Sequence, residues 1–213
     1  NPLASLSLNL EMLRRELERK EPESSLPARL ETMERDLERA SRIASELLYV
    51  ASERDLAPVR TSLSSIVEGA MNLLGARKKD YVFNVNLDGA ETIMAVPWKV
   101  EEALLNIFIN AMDATPSGGR ISITGMREKD RIHLDISDEG TGIESEYLPR
   151  VMEPFFTTKE VGQGTGLGLS VCYGIMELHN GEIHIASEPG RGTVVSLSFQ
   201  AGEDDDDQDT GGR

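Results

Sequence analysis

Apolar positions over residues 3 to 20 recur at alternating intervals of three and four: Leu3, Leu6, Leu10, Leu13 and Leu17. This is the a/d spacing of helices that pack side by side. The stretch EPESSLP at 21–27 interrupts it, and the spacing resumes with Leu30, Met33, Leu37, Ala40, Ala44, Leu47 and Ala51 beneath a face rich in Glu, Arg and Asp. Two such helices form a hairpin that exposes one long apolar seam. A second copy can close the seam as a four-helix bundle, so the pattern predicts a homodimer through residues 3–56.

After Pro58 the period changes. SSIVEGAMNLLGARKK has helical spacing, and YVFNVNL sets Tyr81, Phe83, Val85 and Leu87 against Val82, Asn84 and Asn86, as a half-buried strand does. A long apolar helix is expected over about 98–114. Two strands, RISITG and RIHLDIS, follow around the turn-like MREKD. Residues 139–165 have little periodicity, and a loop that long inside a compact domain has a function or is disordered. A further helix over about 166–178 ends at HNG, where Asn180 or Gly181 can take the left-handed C-terminal position. EIHIAS and GTVVSLSF then alternate as a terminal hairpin around EPGRG. The expected class is α+β: a helical hairpin over 1–57, an α/β sandwich with a largely antiparallel sheet over 58–201, and a tail over 202–213.

Composition narrows the classes. The chain has 213 residues, 39% apolar and 28% charged, which is ordinary for soluble globular protein. No apolar run is long enough to span a membrane, and Asn1 opens no signal-peptide pattern, so a soluble cytoplasmic fragment of a longer protein is expected, without membrane contact of its own. Membrane tethering of the intact protein stays open. Cys172 is the single cysteine, which excludes an internal disulfide and a thiolate metal cluster. The net charge is −15; six acidic residues fall in the last eleven positions, and without them about −9 remains. Nucleic acid is therefore not expected as a partner. EDDDDQDTGGR has almost nothing to bury and is expected to be disordered.

Three stretches carry candidate chemistry. In GQGTGLGLS, glycines at 162, 164, 166 and 168 leave backbone amides free to turn toward a phosphate chain, beside the positive end of a helix. It is neither a dinucleotide fingerprint nor a P-loop, since its spacing differs and no Gly-Lys pair occurs. In RIHLDISD, period two puts Asp138 on the inward side with Ile132, Leu134 and Ile136. A carboxylate aimed inward needs a donor, either its own loop amides or a ligand such as an adenine amine. In EEALLNIFINAMDA, Glu102, Asn106, Asn110 and Asp113 form one polar stripe on an otherwise apolar helix. Asn is a poor residue for mid-helix solvent exposure, whereas its amide oxygen can ligate Mg²⁺ that also bridges phosphates; Asn110 is the better placed.

In this order NIFINAMDA, DEGTGI, EPFFTTK and GQGTGLGLS resemble the N, G1, F and G2 boxes of the sensor histidine kinase catalytic domain. That domain's GHKL, or Bergerat, ATP-binding fold is shared with gyrase, Hsp90 and MutL. NPLASLSLNLEMLRREL resembles the end of the same family's phosphoacceptor box; the resemblance to the family covers about residues 1 to 200, and Asp113, three residues after Asn110, is a variation of its nitrogen-regulation-type subgroup. The resemblance implies ATP and Mg²⁺ as ligands, with Asp138 on the adenine amine and Thr193 near the same ring. It implies Mg²⁺ on Asn110, with Asn106 beside it on the phosphates. Gly140, Gly142 and Ile143 would shape the pocket after Asp138, and Gly162, Gln163, Gly164, Thr165, Gly166, Leu167, Gly168 and Leu169 would wrap the phosphates. Residues 144–165 would form a lid whose Lys159 reaches the γ-phosphate.

The chemistry implied is phosphoryl transfer from ATP to a histidine, and from there to an aspartate of a response-regulator receiver domain. By the box pattern that histidine lies four residues before Asn1, outside this chain, and Asn1 helps orient water for dephosphorylating the regulator. His133, His179 and His184 are read as structural or surface residues. Gyrase-like relatives have a water-activating Glu where this chain has Asn106, which favours a kinase over an ATPase. Asp113 stands where many sensor kinases have Lys or Arg, and no phosphate contact is expected of it. The alternatives are an ATP-sensing scaffold and a GHKL ATPase or anti-sigma-type serine kinase.

Overall fold

The computed structural model describes residues 57–159 and 165–202. All belong to the second of the two units into which the chain divides, Leu56–Arg213. The expected hairpin, Asn1, the residues 160–164 and the acidic tail lie outside the described residues.

Strand β1 (Val59–Ser62) leads into helix α1 (Leu63–Leu73), whose first turn is capped by the Ser62 hydroxyl accepting from the Ser65 N–H. A 3-10 segment, Gly75–Asp80, leads to β2 (Val82–Asn86). Then come β3 (Thr92–Ala95), α2 (Pro97–Ala114), β4 (Arg120–Glu128), β5 (Arg131–Asp138), α3 (Gly168–Leu178), β6 (Glu182–Glu188) and β7 (Gly192–Gln200). The main sheet has the order β2-β4-β5-β7-β6; β2 pairs parallel with β4 and every other pairing is antiparallel. A small antiparallel pair, β1 with β3, forms a second sheet, bridged from Ile93 to Ala201 just after β7.

The core lies between the main sheet and the helices. Ile132, Leu134 and Ile136 of β5 and Leu197 and Phe199 of β7 are buried with Leu104, Ile107, Phe108 and Met112 of α2. Side chains of this kind contribute roughly 1.5–3 kcal/mol each when buried, so together they fix the rotation of α2 about its axis. That rotation decides where the polar stripe of α2 points.

Local pattern was misleading in three places. The first helix ends at Leu73 instead of running through 79, because Gly75 takes a φ of +60° and the chain tightens into a 3-10 turn. The β4–β5 hairpin turns only at Lys129 and Asp130, with Lys129 at a φ of +57°, so MRE belongs to the strand. Val85 lies on the side of Phe83, opposite Ile123 as Phe83 is opposite Ile121, yet it is 46% exposed, since β2 is an edge strand. The other expectations along this stretch match the observed helices and strands, and Asn180 takes the left-handed position, at a φ of +49°, after α3.

His179, at the C-terminal cap of α3, is 4% exposed. Its Nε2 accepts the Val96 N–H at 2.9 Å, and its Nδ1–H donates to the Ile175 carbonyl at 2.6 Å. It thereby holds the entrance of α2, where Pro97 has no N–H to offer. Burial pushes the imidazole below its usual pKa of 6.5, against the smaller opposing effect of the Ile175 hydrogen bond. A folded-state pKa below the unfolded one gives stability that is complete above pH 6.5 and lost as pH falls from there toward the folded value. The urea midpoint is therefore expected to drop between pH 7.5 and pH 5.5, and to drop less in His179→Gln. Equal pH dependence in both proteins would refute the assignment.

Candidate functional site

A cavity of about 630 Å³ opens between α2, α3, the loop after β5 and the ends of β5 and β7. The polar stripe of α2 faces it: Glu102, Asn106, Asn110 and Asp113 all line the wall. Neither Asn106 nor Asn110 makes a side-chain hydrogen bond to another described residue, so both amides remain available to whatever occupies the space. Gly168 lies close to this stripe: a β-carbon placed on it would stand 3.6 Å from Asn106 Oδ1.

Asp138 is 7% exposed at the floor of the cavity. The parity of β5 puts it there, on the side of Ile132, Leu134 and Ile136. Its Oδ1 accepts the Gly140 N–H at 2.8 Å and the Thr193 N–H at 3.2 Å. The carboxylate thus does cap its own loop, but through one oxygen only. Oδ2 has no hydrogen bond from a described residue and is a free acceptor in the site. Burial raises the pKa of this carboxyl, and the two amides only partly offset the rise.

The loop after Asp138 is tied on two sides. The Thr141 N–H donates to the Ala114 carbonyl at 3.1 Å, fastening it to the end of α2. The Ile143 N–H donates to Ser187 Oγ at 2.8 Å, and Ser187 donates in turn to the Gly192 carbonyl at 2.9 Å. With that hydrogen committed, the Thr193 hydroxyl is left as donor in its 2.9 Å contact with Ser187 Oγ. Ser187 therefore joins the loop to β7, and sequence reasoning missed it. The available signal was a Ser and a Thr in direct register, Ser187 opposite Thr193, at the closed end of a hairpin.

Gly142, Ile143, Lys159, Thr165, Gly166, Leu167, Gly168, Leu169 and Thr193 line the same cavity, and Gly140 sits behind Asp138. Leu167 at the N-cap of α3 offers no side-chain acceptor, so the first-turn amides of that helix are left without a side-chain cap beside the cavity. Gly162, Gln163 and Gly164 lie outside the described residues, as does Asn1. Lys159 reaches across to Asp113, its Nζ 2.8 Å from Oδ2. Phe156 forms part of the wall and is backed by Tyr147, at a ring separation of 5.9 Å, and by the Arg150 guanidinium, 4.5 Å from its centroid. Among the described residues no group of three or more His, Cys, Asp or Glu could hold a metal ion. A divalent ion in this cavity would draw on side-chain oxygens of the wall, the Asn106 and Asn110 amides among them, and on oxygens brought by a ligand, a donor set that suits Mg²⁺.

Residues 95–203 match the family model of the histidine kinase-, DNA gyrase B- and HSP90-like ATPases. The chain belongs to that family. Its fold is the mixed α/β ATP-binding sheet of these ATPases, and the cavity lies inside the matched segment. Among curated proteins, the sensor histidine kinase ZraS of Escherichia coli K12 is 33% identical over 163 residues, covering 75% of this chain and 34% of ZraS. The chain thus spans about a third of that relative's length. Among solved structures, the catalytic domain of the histidine kinase ThkA is 26% identical with a TM-score of 0.61, over 68% of this chain and 95% of that one. ThkA in complex with the response regulator TrrA aligns over 95% of this chain and 58% of that one, with a TM-score of 0.59 and 22% identity. No helix among the described residues is long and apolar enough to cross a membrane.

Proposed function

We propose that this chain is the core of a sensor histidine kinase. It binds ATP with Mg²⁺ in the cavity and passes the γ-phosphoryl group to a histidine outside this chain, from which an aspartate of a response-regulator receiver domain takes it. The observation that carries the reading is the division of labour on Asp138, which lines the cavity: Oδ1 takes both backbone amides, and Oδ2 has no hydrogen bond from a described residue. A fixed acceptor in a partly apolar pocket suits an exocyclic amine, and Thr193 stands beside it.

The other roles follow from position along the wall. The uncapped amides of α3 and the backbone at Gly166 and Gly168 would receive phosphate oxygens. Asn110 would hold Mg²⁺, with Asn106 on the phosphates; the bound ion would supply neutralisation of phosphate charge. Lys159 would meet the terminal phosphate. Asn106 is no general base where gyrase-like relatives have a Glu, which supports transfer over hydrolysis.

The acceptor histidine is not His179, since both of its ring nitrogens are engaged and it is buried. The heptad hairpin over residues 1–57 would supply dimerisation and the helix that presents the acceptor, with Asn1 near the phosphoryl group in the reverse reaction. The kinship with ZraS and ThkA, and the complex that ThkA forms with a response regulator, support the same assignment. The test is incubation of a longer chain, including the position four before Asn1, with γ-labelled ATP. Acid-labile, base-stable label on the protein is expected. Nucleotide binding without label would favour a nucleotide-sensing scaffold, and steady phosphate release without label would favour an ATPase.

A further inference from the structure

Three charged groups from three parts of the chain meet at the edge of the cavity. Asp113, in the last turn of α2, has Arg77 on one oxygen, with Nη2 2.7 Å from Oδ1, and Lys159 on the other, with Nζ 2.8 Å from Oδ2. Asp113 and Lys159 line the cavity, whereas Arg77 approaches from the 3-10 segment behind it. Asp113 and Lys159 each keep about a third of their side-chain surface exposed, at 30% and 35%. Burial pushes the Asp113 carboxyl up, but the hydrogen bonds and charges of Lys159 and Arg77 together outweigh it and hold the carboxyl below its ordinary range.

The arrangement poses an electrostatic problem. A carboxylate on the wall repels a polyphosphate, and it occupies the lysine best placed to meet one. Were Lys159 its only partner, moving that lysine to a phosphate would leave a bare negative charge facing the new one. The second cation removes the difficulty. With Arg77 on Oδ1, Asp113 stays neutralised after Lys159 departs. An ion pair as exposed as Lys159–Asp113 also contributes little to stability, so it can be exchanged reversibly.

We propose that Asp113 is the resting counter-ion of Lys159, and that the terminal phosphate of a nucleoside triphosphate displaces it while Arg77 stays behind on Asp113. A diphosphate, ending one group short, leaves the Lys159–Asp113 pair intact. Asp113 and Arg77 are then positioning residues that set the preference for triphosphate over diphosphate. The inference rests on the nucleotide reading of the cavity given above.

The test is calorimetric titration of the 213-residue chain with ADP and with a non-hydrolysable ATP analogue, both with Mg²⁺ at fixed ionic strength. Asp113→Asn frees Lys159 and is expected to tighten the ATP analogue relative to ADP by about two- to fivefold, the range of an exposed ion pair. Arg77→Gln is expected to shift the same ratio by a similar factor in the opposite sense. Both shifts should shrink in a Lys159→Met background, where no lysine is left to exchange and only the wall charge of Asp113 still acts. A ratio unmoved by Asp113→Asn, or moved toward ADP, overturns the exchange. Should Asp113→Asn fail to fold, Arg77→Gln with and without Lys159→Met still decides the question. A wild-type chain that binds neither nucleotide would instead overturn the reading of the cavity itself, so the two failures are distinguishable.

Discussion

Asp138→Asn is expected to weaken binding of an ATP analogue by roughly one to two orders of magnitude, since a hydrogen bond to a charged group contributes about 1.5–3 kcal/mol. The substitution is nearly isosteric, and the Asn amide oxygen can keep the position of Oδ1, accepting from Gly140 and Thr193. Its NH2 group then replaces Oδ2. Where the wild-type site offers an acceptor to an exocyclic amine, the variant offers a second donor, so the loss includes an unpaired contact as well as a lost charge. Guanine nucleotides, which present a carbonyl at the corresponding ring position, should lose less.

Folding should survive this change and can gain from it. Burial holds the Asp138 pKa above 3.8, so the folded state binds this proton more tightly than the unfolded state. Stability from this group is therefore complete below pH 3.8 and falls as pH rises through the folded value. At neutral pH the ionised carboxylate is an expense that the apo protein carries for its ligand. The variant should thus melt no lower than wild type while binding nucleotide poorly. Calorimetric titration combined with thermal unfolding checks both halves; an unchanged affinity would remove the adenine assignment.

The parts of the site that could be read from sequence obey a local period. Period two along β5 places Asp138, and a spacing of four along α2 places Asn106 and Asn110; both hold because long apolar runs lock the rotation of each element. What could not be read depends on partners far apart in the chain. The Val96–His179 hydrogen bond joins residues 83 apart, and the Arg77–Asp113 contact residues 36 apart. No spacing rule encodes either. The β1–β3 pair escaped for another reason: each strand has four residues, too few to display a period. Arg77 illustrates the general case, since on sequence it is one of three consecutive cations in ARKK, and only the 3-10 turn selects it to meet Asp113.

Gly192→Ala should cost roughly 3–5 kcal/mol, the combined scale of backbone strain and an overpacked contact. Gly192 opens β7 with a φ of +92°, and a β-carbon there would overlap the Asp138 carbonyl oxygen. Its next neighbours would be the Asp138 carbonyl carbon at 2.8 Å and the Gly140 amide nitrogen at 3.1 Å, both backbone atoms that cannot swing aside. Relief must come from separating β5 and β7 or from shifting Asp138, and either moves the Thr193 and Gly140 amides off Oδ1. The midpoint of thermal unfolding should fall by about 10 °C, taking some 2–4 °C per kcal/mol for a domain of this size. Gly190→Ala is the matched control: its φ is +76°, yet nothing lies within 4 Å of the added carbon. It should pay only the strain, about 1–2 kcal/mol, and leave nucleotide affinity alone. Equal losses in the two variants would mean that close approach to Asp138 contributes nothing, and that β7 does not hold the carboxylate in place.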